Sequence, residues 1–257
     1  MGRAVRLLVA AVAVAVVAAG CGGDSGEKTS STTVASAPTD PRGRGQLNTD
    51  RAAAENAVLR LSDLPSGWTG EADTDDSVPE VDAARVRFAD CLGLDRGLIG
   101  ARARAGASAS SDDFEDGTNL QVQNRVTVLP TPERAREQLA ALKQPSAGGC
   151  FETFVNAAIE LVVGNPGPGR TSPPGVSFGR AQVEGGSLAG LHADSVAYRA
   201  KLPVTKESQT VDALFDVVLA VKGRAAISMF FIGIGRAFPA DLEASLTNAV
   251  IDRAPEG

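Results

Sequence analysis

The sequence predicts an α+β fold: an antiparallel sheet with helices packed against it, in a single domain that follows a disordered tether. Three observations carry that expectation. The last third of the chain is rich in apolar strand segments joined by hairpin-length links; "VDALFDVVLAV" and "AAISMFFIGIG" are separated only by Lys222-Gly223-Arg224. Links this short make neighbouring strands antiparallel. Helical periodicity brackets those strands instead of alternating with them, which separates α+β from α/β order. Once the N-terminal stretch is set aside, roughly 210 residues remain, enough to bury one substantial core.

The chain opens with Arg3 and Arg6 ahead of an uncharged run, "LLVAAVAVAVVAAG", from Leu7 to Gly20. A short basic region, an apolar core and small residues at its end describe a secretory signal over residues 1–20. The run falls short of the roughly 20 apolar residues that a spanning helix needs. It ends in "AAGC" (Ala18 to Cys21), which resembles a bacterial lipobox, with Ala18 where that box more often carries Leu. The resemblance implies that Cys21 is lipidated on its sulfur and becomes the mature N-terminus after cleavage behind Gly20. The alternative is an ordinary secretory signal with Cys21 incidental. Each buried acyl CH₂ contributes about 0.8 kcal/mol, so two or three palmitate-length chains hold a protein on a membrane without a transmembrane helix. From residue 21 to about Leu47 small, polar and Pro/Gly residues dominate, a composition with too little apolar surface to offset ordering, and we read a flexible tether there. The folded domain is expected over 48–257.

Composition bounds the partners. The whole chain carries a formal charge of −6, and residues 1–20 hold two arginines and no acid, so the mature chain stands near −8. With that balance, and with one Trp and one Tyr, no nucleic-acid partner is expected. Acyl chains, and not a basic surface, are expected to make the membrane contact. Cys91 and Cys150 remain after Cys21, and an even pair in an exported chain is most simply a disulfide. Neither stands in a CxxC spacing, so a reactive dithiol has no support.

Element by element, a first helix is predicted from Asp50 to about Leu61. Ala54, Ala57, Val58 and Leu61 recur at helical spacing, and Thr49 or Asp50 can cap the start. "SDLPSGW" follows as a turn on Pro65 and Gly67 that delivers Trp68. "VDAARVRFADCLG" reads as a short helix ending at Gly93, and "GARARAGASASSDDFEDG" as a loop. "LQVQNRVTVL" alternates Leu120, Val122, Val126 and Val128 against Gln121, Gln123, Arg125 and Thr127, the pattern of a strand with one wet face. "PTPERAREQLAALKQ" is a helix with Pro132 in its first turn and Ala135, Leu139 and Leu142 on one stripe. After Gly148-Gly149-Cys150 comes a helix carrying Phe151, Phe154, Ala158, Leu161 and Val162, then a Pro/Gly-rich loop and a weak strand, "VSFGRAQVE". "DSVAYRAKL" places Val196, Tyr198, Ala200 and Leu202 on one face. The two strands after it are apolar enough to be covered on both faces. "PADLEASLTNAVIDRA" closes the chain as a helix that stripes Leu242, Leu246, Ala249 and Val250. The predicted order is αβααββββα.

A helix leading into "DLPSGW" (Asp63 to Trp68), a cysteine, a strand, a helix beside a second cysteine, and a closing strand meander with a C-terminal helix resemble the actinobacterial lipoproteins related to the PknH-type extracellular sensor domain. The resemblance spans roughly residues 50–254 and implies a cell-envelope module suited to binding. Those domains carry more cysteines than the two here, so no ligand contact is transferred.

No catalytic constellation, metal site or cofactor is expected. His192 is the sole histidine, and Asp194 and Ser195 lie too close to it in sequence to be turned toward it as a relay. The acidic runs "EADTDD" (Glu71 to Asp76) and "SDDFEDG" (Ser111 to Gly117) lack the alternating spacing of a calcium loop and read as solvated. Arg85, Arg87, Arg96, Arg102 and Arg104 form a basic neighbourhood. Arg102 and Arg104 are the candidate receivers of an anionic envelope lipid or a glycan, or they pair with nearby acids. Trp68 either anchors the core or lines a ligand mouth. "GIGRAF" (Gly233 to Phe238) lacks the third glycine of a dinucleotide loop and reads as a strand exit. These features define an exported protein, anchored to the outer face of the cell membrane, whose domain is a non-catalytic module binding an envelope lipid, glycan or protein. An envelope-directed hydrolase and a scaffold of a membrane complex are the competing classes. A deep apolar pocket favours the binding module, converging carboxylates about 5–10 Å apart the hydrolase, and a flat apolar patch the scaffold.

Overall fold

The computed structural model describes residues 42–72, 79–94, 107–164 and 175–256. Cys21, nearly all of the tether, Arg96, Arg102 and Arg104 lie outside those residues. The architecture is α+β, a large antiparallel sheet with helices on both faces. In chain order the elements are α1 (Arg44–Ala57), a 3₁₀ turn (Leu61–Asp63), β1 (Thr69–Glu71), α2 (Pro79–Leu92), β2 (Ala107–Ser110), β3 (Asp113–Glu115), β4 (Leu120–Val128), α3 (Pro132–Leu142), α4 (Ala147–Gly164), β5 (Val176–Phe178), β6 (Gln182–Gly186), β7 (Asp194–Lys206), β8 (Gln209–Lys222), β9 (Ala225–Ile234) and α5 (Ala240–Arg253).

The strands run β1-β3-β4-β9-β8-β7-β5, every pair antiparallel. β2 joins the same edge of β4 as β3, and β6 the same edge of β7 as β5. Two of the ladder positions are therefore broken strands. Two long hairpins, closed by the two-residue links Glu207-Ser208 and Gly223-Arg224, put β7, β8 and β9 side by side, and β4 pairs with the other edge of β9. Gly223 has φ +54°, and a Cβ there would meet the Glu256 carbonyl oxygen at 2.0 Å, so only glycine fits the crossing of hairpin and C-terminus.

Alternation along these strands sorts side chains onto two faces. On the first face Tyr198, Ala200, Leu202 and Val204 of β7, Phe215 and Val217 of β8, and Phe230 and Ile232 of β9 pack with α2 and α4. On the second, Val122, Val126 and Val128 of β4 and Ile227, Met229 and Phe231 of β9 pack with Ala54 and Ala57 of α1 and Leu246, Val250 and Ile251 of α5. β8 and β9 are covered on both sides, as their composition predicts.

Several elements depart from the sequence-based expectation. α1 begins at Arg44 and ends at Ala57, earlier at both ends than the predicted 50–61. Its start is fixed from outside the helix: Arg42 donates to Asp50 at 2.9 Å and to the Val128 carbonyl at 2.7 Å. The last residues assigned to the tether are thus part of the folded body. The predicted loop after Arg104 contains two short strands, β2 and β3, held by pairing with β4. α4 starts at Ala147 and runs through Gly148, Gly149 and Cys150. "VSFGRAQVE" is two strands, because Gly179 and Arg180 step out of the ladder between β5 and β6. β4 has no wet face of the predicted kind, since Gln123 and Arg125 are 5 % and 6 % exposed.

Cys91 of α2 and Cys150 of α4 are disulfide-bonded, with Cα atoms 5.8 Å apart. Phe88 lies beside Phe151 and Phe154 at centroid distances of 6.0 and 5.3 Å. α2 is therefore fastened to the domain chiefly through α4.

Candidate functional site

Each residue singled out from sequence has a definite place or lies outside the description. Cys21, Arg102 and Arg104 lie outside the described residues. Trp68 is half-buried at the rim of the second-face core, 6.0 Å from the Phe238 ring. The rest of "DLPSGW" braces the fold. Asp63 accepts from both Arg253 nitrogens, at 3.0 and 2.7 Å, and from the Arg60 backbone N–H at 2.8 Å. Burial opposes ionisation of Asp63, but these donors overcome it and hold the carboxyl below its ordinary range. Leu64 is buried, and Gly67 turns the chain at φ +95°. The motif that carries the family resemblance thus locks α5 to the segment after α1.

His192 is exposed, and its ring Nδ1 lies 3.1 Å from Asp252 while its backbone N–H donates to Asn248. These contacts stitch a loop to α5. In the run "SDDFEDG", Phe114 is buried and Asp116 organises the turn: its Oδ1 accepts the N–H groups of Thr118, Asn119 and Leu120, and its Oδ2 accepts from Arg236 at 2.7 Å. Burial works against that charge, yet the Thr118 hydroxyl and the backbone donors hold the Asp116 carboxyl low. The adjoining recess, lined by Glu115, Asp116, Asn119, Gln121 and Ile234, has no interior room for a water molecule. Among the described residues no three metal-ligating side chains converge, and Leu61 is the large apolar side chain that stands exposed, at 49 %.

Two constellations emerge that single-residue reading did not assemble. The first is the β4 portion of the first sheet face. Where β7, β8 and β9 present an apolar wall, the neighbouring strip is hydrogen-bonding throughout: Ser108 and Ser110 of β2, Gln121, Gln123, Arg125 and Thr127 of β4, and Ser228 of β9. Arg125 donates from Nε and Nη2 to the Ser110 hydroxyl at 2.9 and 2.7 Å and lies across from Ser228. Gln123, between Gln121 and Arg125, makes no side-chain hydrogen bond among the described residues although it is nearly buried. On the same side of the sheet α2 buries Arg85, at 2 % exposed.

The second lies on the other face beneath α5. Arg199 of β7 and Asp216 of β8 are cross-strand partners, and the guanidinium forks onto the carboxylate at 2.5 and 2.8 Å. Glu243, in the first turn of α5, is 3 % exposed, lies against Asp216, and has its nearest cation, Arg199, at 3.9 Å. Burial, then the Asp216 charge, push the Glu243 carboxyl up to about 8, against a weaker pull from Arg199. A signal for this pair was present in the sequence: Asp216 interrupts the apolar run "ALFDVVLAV" in the middle of β8.

With this geometry in view, no family model, curated protein or solved structure matches the chain.

Proposed function

We propose that the protein is an exported lipoprotein, moored through acyl chains on Cys21, whose domain is a non-catalytic binding or sensor-like module of the cell envelope akin to the extracellular sensor domains it resembles. The observation that carries the binding part is the hydrogen-bonding strip around Gln123 and Arg125. A sheet face that only had to be covered would continue the apolar wall of its neighbours, whereas this strip sets amide, hydroxyl and guanidinium groups in one row. Amide, hydroxyl and guanidinium groups side by side match the hydroxyls and acyl-amide groups of a glycan better than an alkyl chain. The disulfide supports residence in an oxidising compartment. The Arg42–Asp50 contact supports a tether that ends at a fixed point of the body.

The test is a Cys21→Ser protein expressed in a lipoprotein-processing host. It is expected in the soluble exported fraction, with carbohydrate detectable by mass spectrometry in the purified protein. If the variant sediments with envelopes after a high-salt wash as firmly as the parent, the mooring lies elsewhere. If it purifies empty, and stays so after incubation with an envelope glycan extract, the binding reading fails.

A further inference from the structure

The carboxyl pair beneath α5 stands apart from the proposed binding strip, on the opposite face of the sheet, and its arrangement has a physical consequence of its own. Arg199 can satisfy one carboxylate fully, and its two short hydrogen bonds both go to Asp216. That leaves Glu243 buried beside a negative charge, with its Oε1 lacking a hydrogen-bond partner. Two carboxylates in contact and out of water cannot both be ionised without a large electrostatic penalty, whereas one proton between them turns repulsion into a hydrogen bond.

The groups facing Glu243 are few. β8 supplies Asp216 and β7 supplies Arg199; β6 contributes Glu184, across from Arg199 and acting on it. β9 presents Met229, Phe231 and Gly233 on that face, and α1 contributes Ala54 and Ala57 to the same core. Within α5, Asp241 shares the first turn, and the Thr247 hydroxyl donates to the Glu243 carbonyl and not to its carboxyl. The helix N-terminus favours charge on Glu243, against burial and the adjoining Asp216 charge, which act the other way and prevail.

We propose that Glu243 is a proton-held latch: its protonated carboxyl donates to Asp216 and seats the first turn of α5 on the sheet, and loss of that proton lets the turn lift. The sign follows from linkage. The closed turn holds a proton that an opened, solvated Glu243 has already released at its ordinary value of 4.5, and gives it up only near pH 8. The latch is therefore strongest below about pH 4.5, weakens through the range between, and is spent above about 8.

Amide hydrogen exchange of residues 240–246, corrected for the intrinsic base catalysis of exchange, tests this on the whole mature chain. The opening equilibrium of this turn is expected to grow up to tenfold per pH unit between about 5 and 8 and then level off. Residues 248–253 should show a smaller dependence. In Glu243→Gln, whose amide can still donate to Asp216 but carries no titratable proton, the corrected opening should be flat with pH. Equal slopes in parent and variant, or a flat parent, overturn the proposal. Should the variant fail to fold, carbon-13 titration of the Glu243 carboxyl in the parent decides. A midpoint near 4.5 overturns the latch, and one well above 6 supports it. Neither readout depends on whether the domain binds a glycan.

Discussion

Removing the Cys91–Cys150 bond tests how α2 is held. The bond closes a loop whose ends are 59 residues apart, for which the chain-entropy relation gives about 4 kcal/mol of stabilisation. Native-state contacts add little that survives substitution, because Cys91 is exposed and Cys150, 4 % exposed, is replaced by alanine with the loss of one sulfur only. A Cys91→Ala/Cys150→Ala chain is therefore expected to lose about 3–4 kcal/mol in guanidinium unfolding. Its Tm should fall by about 6–16 °C, at the roughly 2–4 °C per kcal/mol of a domain this size. The parent treated with excess dithiothreitol should match it. Exchange protection in α2 should fall first, since that helix leans chiefly on α4 and is left with the packing of Ala84, Phe88 and Leu92 once the bond is gone. A loss under 1 kcal/mol would refute the view that the bond acts by restricting the unfolded chain, and a uniform loss of protection across the domain would refute the local pinning of α2.

Two further outcomes follow from buried geometry. Asp50→Ala leaves Arg42 and Arg224, whose side chains are 8 % and 17 % exposed, without their shared carboxylate, and should cost about 3–5 kcal/mol by chemical denaturation. Burial opposes the Asp50 charge, but the Arg224, Gln46 and Arg42 hydrogen bonds hold its carboxyl below the ordinary value. The parent should therefore lose stability as pH falls through and below 4, and the variant should show less of that dependence. Gly233→Ala would bring a methyl to 2.0 Å from the Arg236 carbonyl oxygen, and should lose about 3 kcal/mol or more; a loss below 1 kcal/mol would show that the strand exit can yield.

The legible parts of the fold are those where local pattern and tertiary role agree. α3 carries Pro132 at its start, with Thr131 accepting from the Arg134 N–H, and its Ala135, Leu139 and Leu142 stripe is buried. β8 and β9 announce double coverage by composition. The misread parts are those where distant groups decide. Ala, Ser and Asp are weak strand formers, so β2 and β3 exist because β4 pairs with them and Phe114 is buried. Two adjacent glycines argue against a helix interior, but Ala147 and Cys150 are buried and a disulfide holds that turn. Arg42 lies in a segment of tether-like composition, and distant groups, buried Asp50 and the Val128 carbonyl, draw it into the fold. Alternation in β4 could show that its two faces differ, but not what covers the polar one.

The distribution of buried polar groups separates structural from functional use of the sheet. On the second face Asn124 is fully buried, and its Oδ1 accepts the Leu59 N–H at 2.7 Å, which fixes how the chain leaves α1. Asp63 and Asp50 join helix ends and strand ends by short charge-assisted bonds. Each of these groups connects elements that would otherwise separate. Gln123 on the first face connects nothing among the described residues, yet it stands in a row with Arg125 and four hydroxyl-bearing neighbours where leucine or valine would complete the wall begun by Phe230 and Ile232. A polar row at the margin of the apolar wall leaves amide and hydroxyl groups available to whatever lies against it. The proposed binding strip therefore lies on the first face, where the polar row joins no elements, and the proposed latch on the second acts on α5.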